Sequence, residues 1–198
     1  MPSKPGQASR PRRADAQRNR ELLLAAAREV FSERGADAPL DEVARRARIG
    51  NATMYRHFPD RRELLIAVYA DEVAALCAHG EALLEDRSPE DALFAWLRAF
   101  VSHVTAKRDL ALAIPSDQGG ERSALFDGWH RAMHSTASRL LARAHSAGAV
   151  GPDLKASDLL VLASGIAVAT ADDRQAERCL ELLRHGAMAT RGPGFRPS

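Results

Sequence analysis

The sequence predicts an all-α protein of about nine helices: an N-terminal three-helix domain containing a helix-turn-helix, then a larger C-terminal helical domain. Three observations carry this. Apolar residues recur at i, i+3, i+4 and i+7 in one segment after another, the pattern of a single helix face. Alanine and leucine, both strong helix formers, dominate the composition. No run alternates Val, Ile or Thr with polar residues, so no strand is expected. The chain of 198 residues is 45% hydrophobic and 27% charged, enough to bury a core and still present a solvated surface.

The elements follow in order. Residues 1–13 are rich in Pro, Gly, Ser and Arg and read as a disordered basic arm. A first helix is expected over about 15–34, where Leu23, Ala26, Ala27, Val30 and Phe31 share one face and Gly35 is suited to the position after its end. A short helix over about 40–47 carries Leu40, Val43, Ala44 and Ala47. Acidic Asp41 and Glu42 lie at its start, and basic Arg45, Arg46 and Arg48 at its end. After the break Arg48-Ile49-Gly50, residues 51–57 make a third helix with Met54 and Phe58 turned inward, stopped by Pro59. Asp60 can cap a fourth helix running to about His79, with Leu65, Tyr69, Val73 and Leu76 on one side. Ser88 and Pro89 form a good start for a helix over about 89–106, followed by a short one over about 108–114. The segment Pro115–Gly120 reads as a flexible break. Three further helices are expected over about 121–147, 155–170 and 173–188, then a loose tail from about 191 to 198. The domain boundaries implied are 14–62 and 63–190, and no internal repeat is visible.

The net charge of +2 is unevenly distributed. Residues 1–62 hold 14 Lys/Arg and 8 Asp/Glu, net +6; the rest holds 14 and 18, net −4. A basic end joined to an acidic partner domain suits a polyanion ligand, although a solvated surface with chance clustering has the same composition. The two cysteines, Cys77 and Cys179, form no C-x-x-C pattern, which suits a reducing compartment. The start lacks an apolar run after its charges, and the longest apolar stretch, Leu159–Ala169, is too short to span a bilayer. A cytoplasmic, nucleoid-associated protein with no membrane partner is expected.

Helices two and three have helix-turn-helix spacing, in which the second helix enters the DNA major groove. With Met54 and Phe58 inward, Asn51, Ala52, Thr53, Tyr55, Arg56 and His57 are left outside. Arginine can grip guanine, asparagine can grip adenine, and a threonine methyl can touch a thymine methyl. Tyr and His can bond phosphates, which positions the protein without reading sequence. Arg48 in the turn and Arg61 and Arg62 at the next helix start complete the candidate set, a helix start being itself attractive to anions. The alternative is a surface helical hairpin with its aromatic packed inside, which for Val43, Ala44, Met54 and Phe58 is accepted outright.

The stretch LDEVARRARIGNATMYRHFPDRRELL, Leu40 to Leu65, with the helix before it, resembles the TetR family of transcriptional regulators. The family pattern is a hydrophobic residue, two positions, Ile or Val, then A-x-x-A, a turn, T-[LM]-Y-x-[HY]-F, a basic residue and E-x-L. The remaining two-thirds of the chain matches in layout only. The resemblance implies DNA contacts from Thr53, Tyr55, His57 and either Arg61 or Arg62. One departure stands out: Arg48 occupies the family's usual turn-glycine position, and the nearest glycine is Gly50. Arg48 must then adopt a helical, bridge or left-handed conformation, the last at a cost.

The resemblance also implies a ligand-responsive repressor that binds a palindromic double-stranded operator as a homodimer. Small residues in LASGIAVAT allow close helix approach, so Leu162, Ala163, Gly165, Ile166 and Ala169, with Leu180, Leu183 and Ala187, are the expected dimer interface. Trp96, Phe100, His103, Phe126, Trp129, His130 and Met133 would line a pocket for an apolar or amphipathic effector, although such a stripe is more often plain core. His130 and His134, spaced i, i+4, have no third clustered ligand, so no metal and no cofactor are expected. The alternatives are a ligand-independent architectural DNA binder and a helical enzyme. For the enzyme the chain has no nucleophile elbow, phosphate loop or H-E-x-x-H pattern.

Overall fold

The computed structural model describes residues 9–113 and 121–188, which form eight α-helices and no strand. They are α1 (Ser9–Arg34), α2 (Leu40–Ala47), α3 (Asn51–His57), α4 (Arg61–Leu83), α5 (Pro89–Ala113), α6 (Glu121–Ser146), α7 (Ala156–Ala169) and α8 (Asp173–Met188). The described residues fall into two compact units: one reaches Tyr69 and includes the end of α5 from Asp109, and the other holds Ala70–Arg108 and the helices after residue 120. This division falls inside α4, after Tyr69.

In the first unit, Leu23, Ala27 and Val30 of α1, Val43 and Ala44 of α2, Met54 of α3, and Leu64, Leu65 and Val68 of α4 are fully buried. Alpha-1 ends as its sequence suggests: Gly35 takes φ +81° and its N–H donates to the Phe31 carbonyl at 3.0 Å. It starts earlier than expected, at Ser9, so residues 9–13 of the supposed basic arm continue the helix; residues 1–8 lie outside the described residues. Arg46 of α2 reaches Glu33 at 2.7 Å and Glu29 at 3.2 Å on α1, fastening the two helices together.

Two sequence expectations about helix ends are corrected. Helix α5 runs unbroken to Ala113 where two helices were expected, because the segment after His103 contains neither glycine nor proline to stop it. Helix α4 continues past His79 to Leu83, carrying Gly80 inside it. The start signals hold: Asp60 Oδ1 accepts from the Glu63 N–H at 2.8 Å, and Ser88 Oγ accepts from the Asp91 N–H at 3.2 Å. Asp172 and Gln175 form a reciprocal cap for α8, with Gln175 N–H donating to Asp172 Oδ1 at 2.7 Å and Ala171 N–H to Gln175 Oε1 at 2.9 Å.

The core of the second unit holds Leu93, Trp96 and Leu97 of α5, Ala137, Leu140 and Ala144 of α6, and Leu159 and Ala163 of α7. Trp96 is fully buried, and its Nε1–H donates to the Leu76 carbonyl of α4 at 3.0 Å, so the indole leaves no polar atom unsatisfied. Helices α5 and α8 are joined by two arginine clamps, Arg98 on Glu177 and Arg184 on Glu90 and Asp91. The tail and the Pro115–Gly120 break lie outside the described residues. No helix among those described is long and apolar enough to cross a membrane.

Candidate nucleic-acid interface

The turn between α2 and α3 is built on Arg48. Its φ of 57° and ψ of 37° place it in the left-handed region, the only non-glycine residue with positive φ among those described. Its N–H donates to the Arg45 carbonyl at 3.1 Å, and the Ile49 N–H to the Ala44 carbonyl at 2.9 Å. This is the double bond of a Schellman motif, which usually carries glycine at that residue. Arg48 therefore does what the missing turn glycine would do, at a steric cost of about 1–2 kcal/mol. The chain then resumes at Gly50, whose carbonyl accepts from Thr53 and Met54 at 2.8 and 3.0 Å to begin α3.

Helix α3 is held by Met54 and Phe58, 0% and 3% exposed, and Arg20 of α1 lies over the Phe58 ring at 5.6 Å. Arg48, Asn51, Ala52, Tyr55 and Arg56 are exposed; Thr53 and His57 are half-buried. Tyr55 keeps 44% of its surface open, so its hydroxyl is not consumed by packing. Arg61 and Arg62 are both half-buried at the start of α4. Arg61 has a structural duty that its sequence did not announce: its guanidinium donates to the Ala36 carbonyl at 2.6 Å, tying α4 to the loop after α1.

The seven residues expected around a pocket separate. Trp96, Phe100, His103 and Met133 are buried, Phe126 and Trp129 are half-buried, and His130 is exposed with Nδ1 2.7 Å from the Phe126 carbonyl of its own helix. Trp96 stacks on Phe100 with ring centroids 5.6 Å apart, and Phe126 meets Trp129 edge-on at 5.0 Å. Two cavities are formed by described residues of the second unit: one of about 320 Å³ between α4 and α5 includes His103, and one of about 300 Å³ is formed by Val101, Ser102 and Thr105 of α5 with Thr170, Ala176 and Leu180.

The expected dimer residues also divide. Ala163, Leu180 and Ala187 are buried within the chain. Ile166 and Leu183 are half-buried, and Leu162, Gly165 and Ala169 are exposed. The exposed apolar surface includes three residues that were missed: Val161 (71%), Val168 (55%) and Leu182 (72%). The signal existed. Helix α7 carries two apolar stripes, Ala156–Leu159–Ala163–Ala167 inside and Val161–Leu162–Gly165–Val168 outside, and composition alone does not say which is which.

Residues 23–68, the helix-turn-helix with its flanking helices, match the model for bacterial regulatory proteins of the tetR family. Residues 88–188 match the model for the SbtR-like transcriptional regulator C-terminal domain. A TetR transcriptional regulator of known structure from Streptomyces coelicolor is 37% identical, with a TM-score of 0.72, over 85% of this chain and 98% of its own. The chain belongs to the TetR family. A TetR regulator from Mycobacterium vanbaalenii is 33% identical, with a TM-score of 0.73, over 89% of this chain and 98% of its own. The uncharacterised helix-turn-helix regulator TtgW of Pseudomonas putida is 41% identical over 58 residues, 29% of this chain and 43% of that protein's length. This TetR-family chain is therefore a DNA-binding transcriptional regulator and not an enzyme. Among its described residues no group of three or more His, Cys, Asp or Glu could hold a metal ion.

Proposed function

We propose that the protein is a homodimeric repressor that binds a palindromic operator through one α3 from each copy. Small apolar or amphipathic molecules would release it. The observation that carries this reading is the outer face of α3: Asn51, Ala52, Tyr55 and Arg56 stay exposed beside Arg48 and supply base-reading and phosphate-binding groups together. Two copies are needed because one short helix reads too few base pairs, and the open Val161, Leu162, Val168 and Leu182 surface supports pairing through α7 and α8. Phe126 and Trp129 support effector binding, because their edge-on pair keeps apolar surface accessible on α6. The burial of Trp96, Phe100 and Met133 favours the competing reading, a ligand-independent DNA binder.

The test is selection of bound genomic fragments by the purified protein, followed by sedimentation of the complexes. The expected result is an inverted repeat bound by two chains, and a Leu182→Asp variant that sediments as a monomer with weakened operator binding. Selected fragments without an inverted repeat, bound by single chains, would reject the dimeric reading. Release of DNA by apolar compounds, lost in Trp129→Ala, would separate a sensor from a ligand-independent binder.

A further inference from the structure

We propose that Thr53 and Arg56 form one base-reading unit, in which Arg56 recognises guanine and Thr53 is its positioning residue. This rests on α3 being the helix that reads DNA. At 100° per residue, Arg56 and Ala52 project nearly opposite to the buried pair Met54 and Phe58, so they point straight out from the domain. Arg56 is exposed but held. Its Nε–H donates to the Ala52 carbonyl at 3.1 Å, and its Nη2 donates to Thr53 Oγ1 at 2.8 Å. Both bonds use the same side edge of the planar guanidinium.

A guanidinium has five N–H donors in a fixed fork. With the side edge committed to α3, the end edge, one N–H on each terminal nitrogen, is left facing outward. Two parallel donors match the O6 and N7 acceptors of guanine in the major groove. They do not match adenine, whose N6 amino group would oppose one donor with another. The charge is also available. Arg46 is paired with Glu29 and Glu33 and Arg45 with Glu42, whereas the two acceptors that hold Arg56 are neutral oxygens. Alanine at position 52 leaves its carbonyl uncovered, so the arginine stem can lie along the helix. Holding a long side chain in its reading geometry before DNA arrives reduces the ordering cost of binding.

The arrangement makes Thr53 a residue whose effect on specificity passes through Arg56. The experiment is selection from a random-sequence DNA pool with the full-length protein and four variants: Arg56→Ala, Arg56→Lys, Thr53→Val and Thr53→Ser. Circular dichroism confirms that each variant is folded. The wild type should demand guanine at one position of each half-site. Arg56→Ala should lose that preference by about ten-fold or more, and Arg56→Lys should not restore it, since a point charge has no fork. Thr53→Val keeps the shape and removes the acceptor, so it should relax preference at the same guanine. Thr53→Ser, which keeps the hydroxyl, should restore it. An unchanged consensus with Arg56→Ala overturns the proposal. So does a Thr53→Val effect at a different base, or one that only lowers affinity uniformly, because Thr53 would then act alone. Failure of the wild type to select any sequence would instead refute the reading of α3 on which the proposal depends.

Discussion

Gly80 of α4 lies so close to Thr136 of α6 that a Cβ built on the glycine would overlap Thr136 Cγ2 and come within 2.8 Å of Trp96 Nε1. The same tryptophan bonds the Leu76 carbonyl one turn earlier, so α4, α5 and α6 meet at a point with no spare volume. Thr136 is buried and β-branched, and Trp96 is fully buried, so neither can swing aside. Replacing a mid-helix glycine with alanine ordinarily stabilises a helix by about 0.5–1 kcal/mol. Here the overlap should win. Gly80→Ala is expected to lower stability by about 1–3 kcal/mol, the usual cost of overpacking. Urea unfolding measures it, and Thr136→Ser, which removes the offending methyl, should recover part of the loss in the double variant. A Gly80→Ala protein more stable than the parent would show that the helices are not in contact there.

That glycine also marks where sequence reading stops. A glycine near a helix end reads as a stop signal, and only tertiary contact reveals one that serves close packing. The helix-turn-helix was legible because its signals are local: Met54 and Phe58 at helical spacing, Pro59 after them, and the cap at Asp60. The role of Arg61 was not legible, since its partner, the Ala36 carbonyl, is twenty-five residues away. The two stripes of α7 are chemically alike, and the choice of Ala163 as core and Val161 as surface is made by the helices packed around it.

Three carboxylates give the protein a defined acid response. The Arg46 hydrogen bond holds Glu33 below its ordinary value of 4.5, Arg98 does the same for Glu177, and the Ser88 and then Arg184 hydrogen bonds lower Asp91 from 3.8. A folded-state pKa below the unfolded one means that stability is fully present above the unfolded value. It is lost as pH falls through the folded value. The melting temperature should therefore be flat from neutral pH to about 5 and then decline. These groups are exposed, so each contribution is small and should shrink further in high salt. In Arg98→Met the Glu177 share is already gone. The gap in melting temperature between wild type and this variant should therefore narrow below pH 4.5. A gap that stays constant down to pH 3 would show that the Arg98 clamp acts through packing, not charge.

Arg48 offers a test in which stability and DNA affinity move in opposite directions. Its left-handed backbone completes the turn into α3, a conformation that glycine adopts without steric penalty. Its side chain is exposed beside the outer face of α3. Arg48→Gly should thus raise folding stability by about 0.5–1 kcal/mol, the relieved strain being partly offset by the greater entropy of glycine in the unfolded chain. The same change removes a cation from the face proposed to meet phosphate. Operator affinity should fall across all sequences alike, and the plot of log affinity against log salt should become shallower by about one unit. General damage to the domain cannot produce this pair of results, because it would lower stability as well. If stability rises while affinity and salt slope stay the same, Arg48 serves only the turn and touches no phosphate. If stability falls, the Arg48 side chain holds the turn together by contacts worth more than its backbone strain.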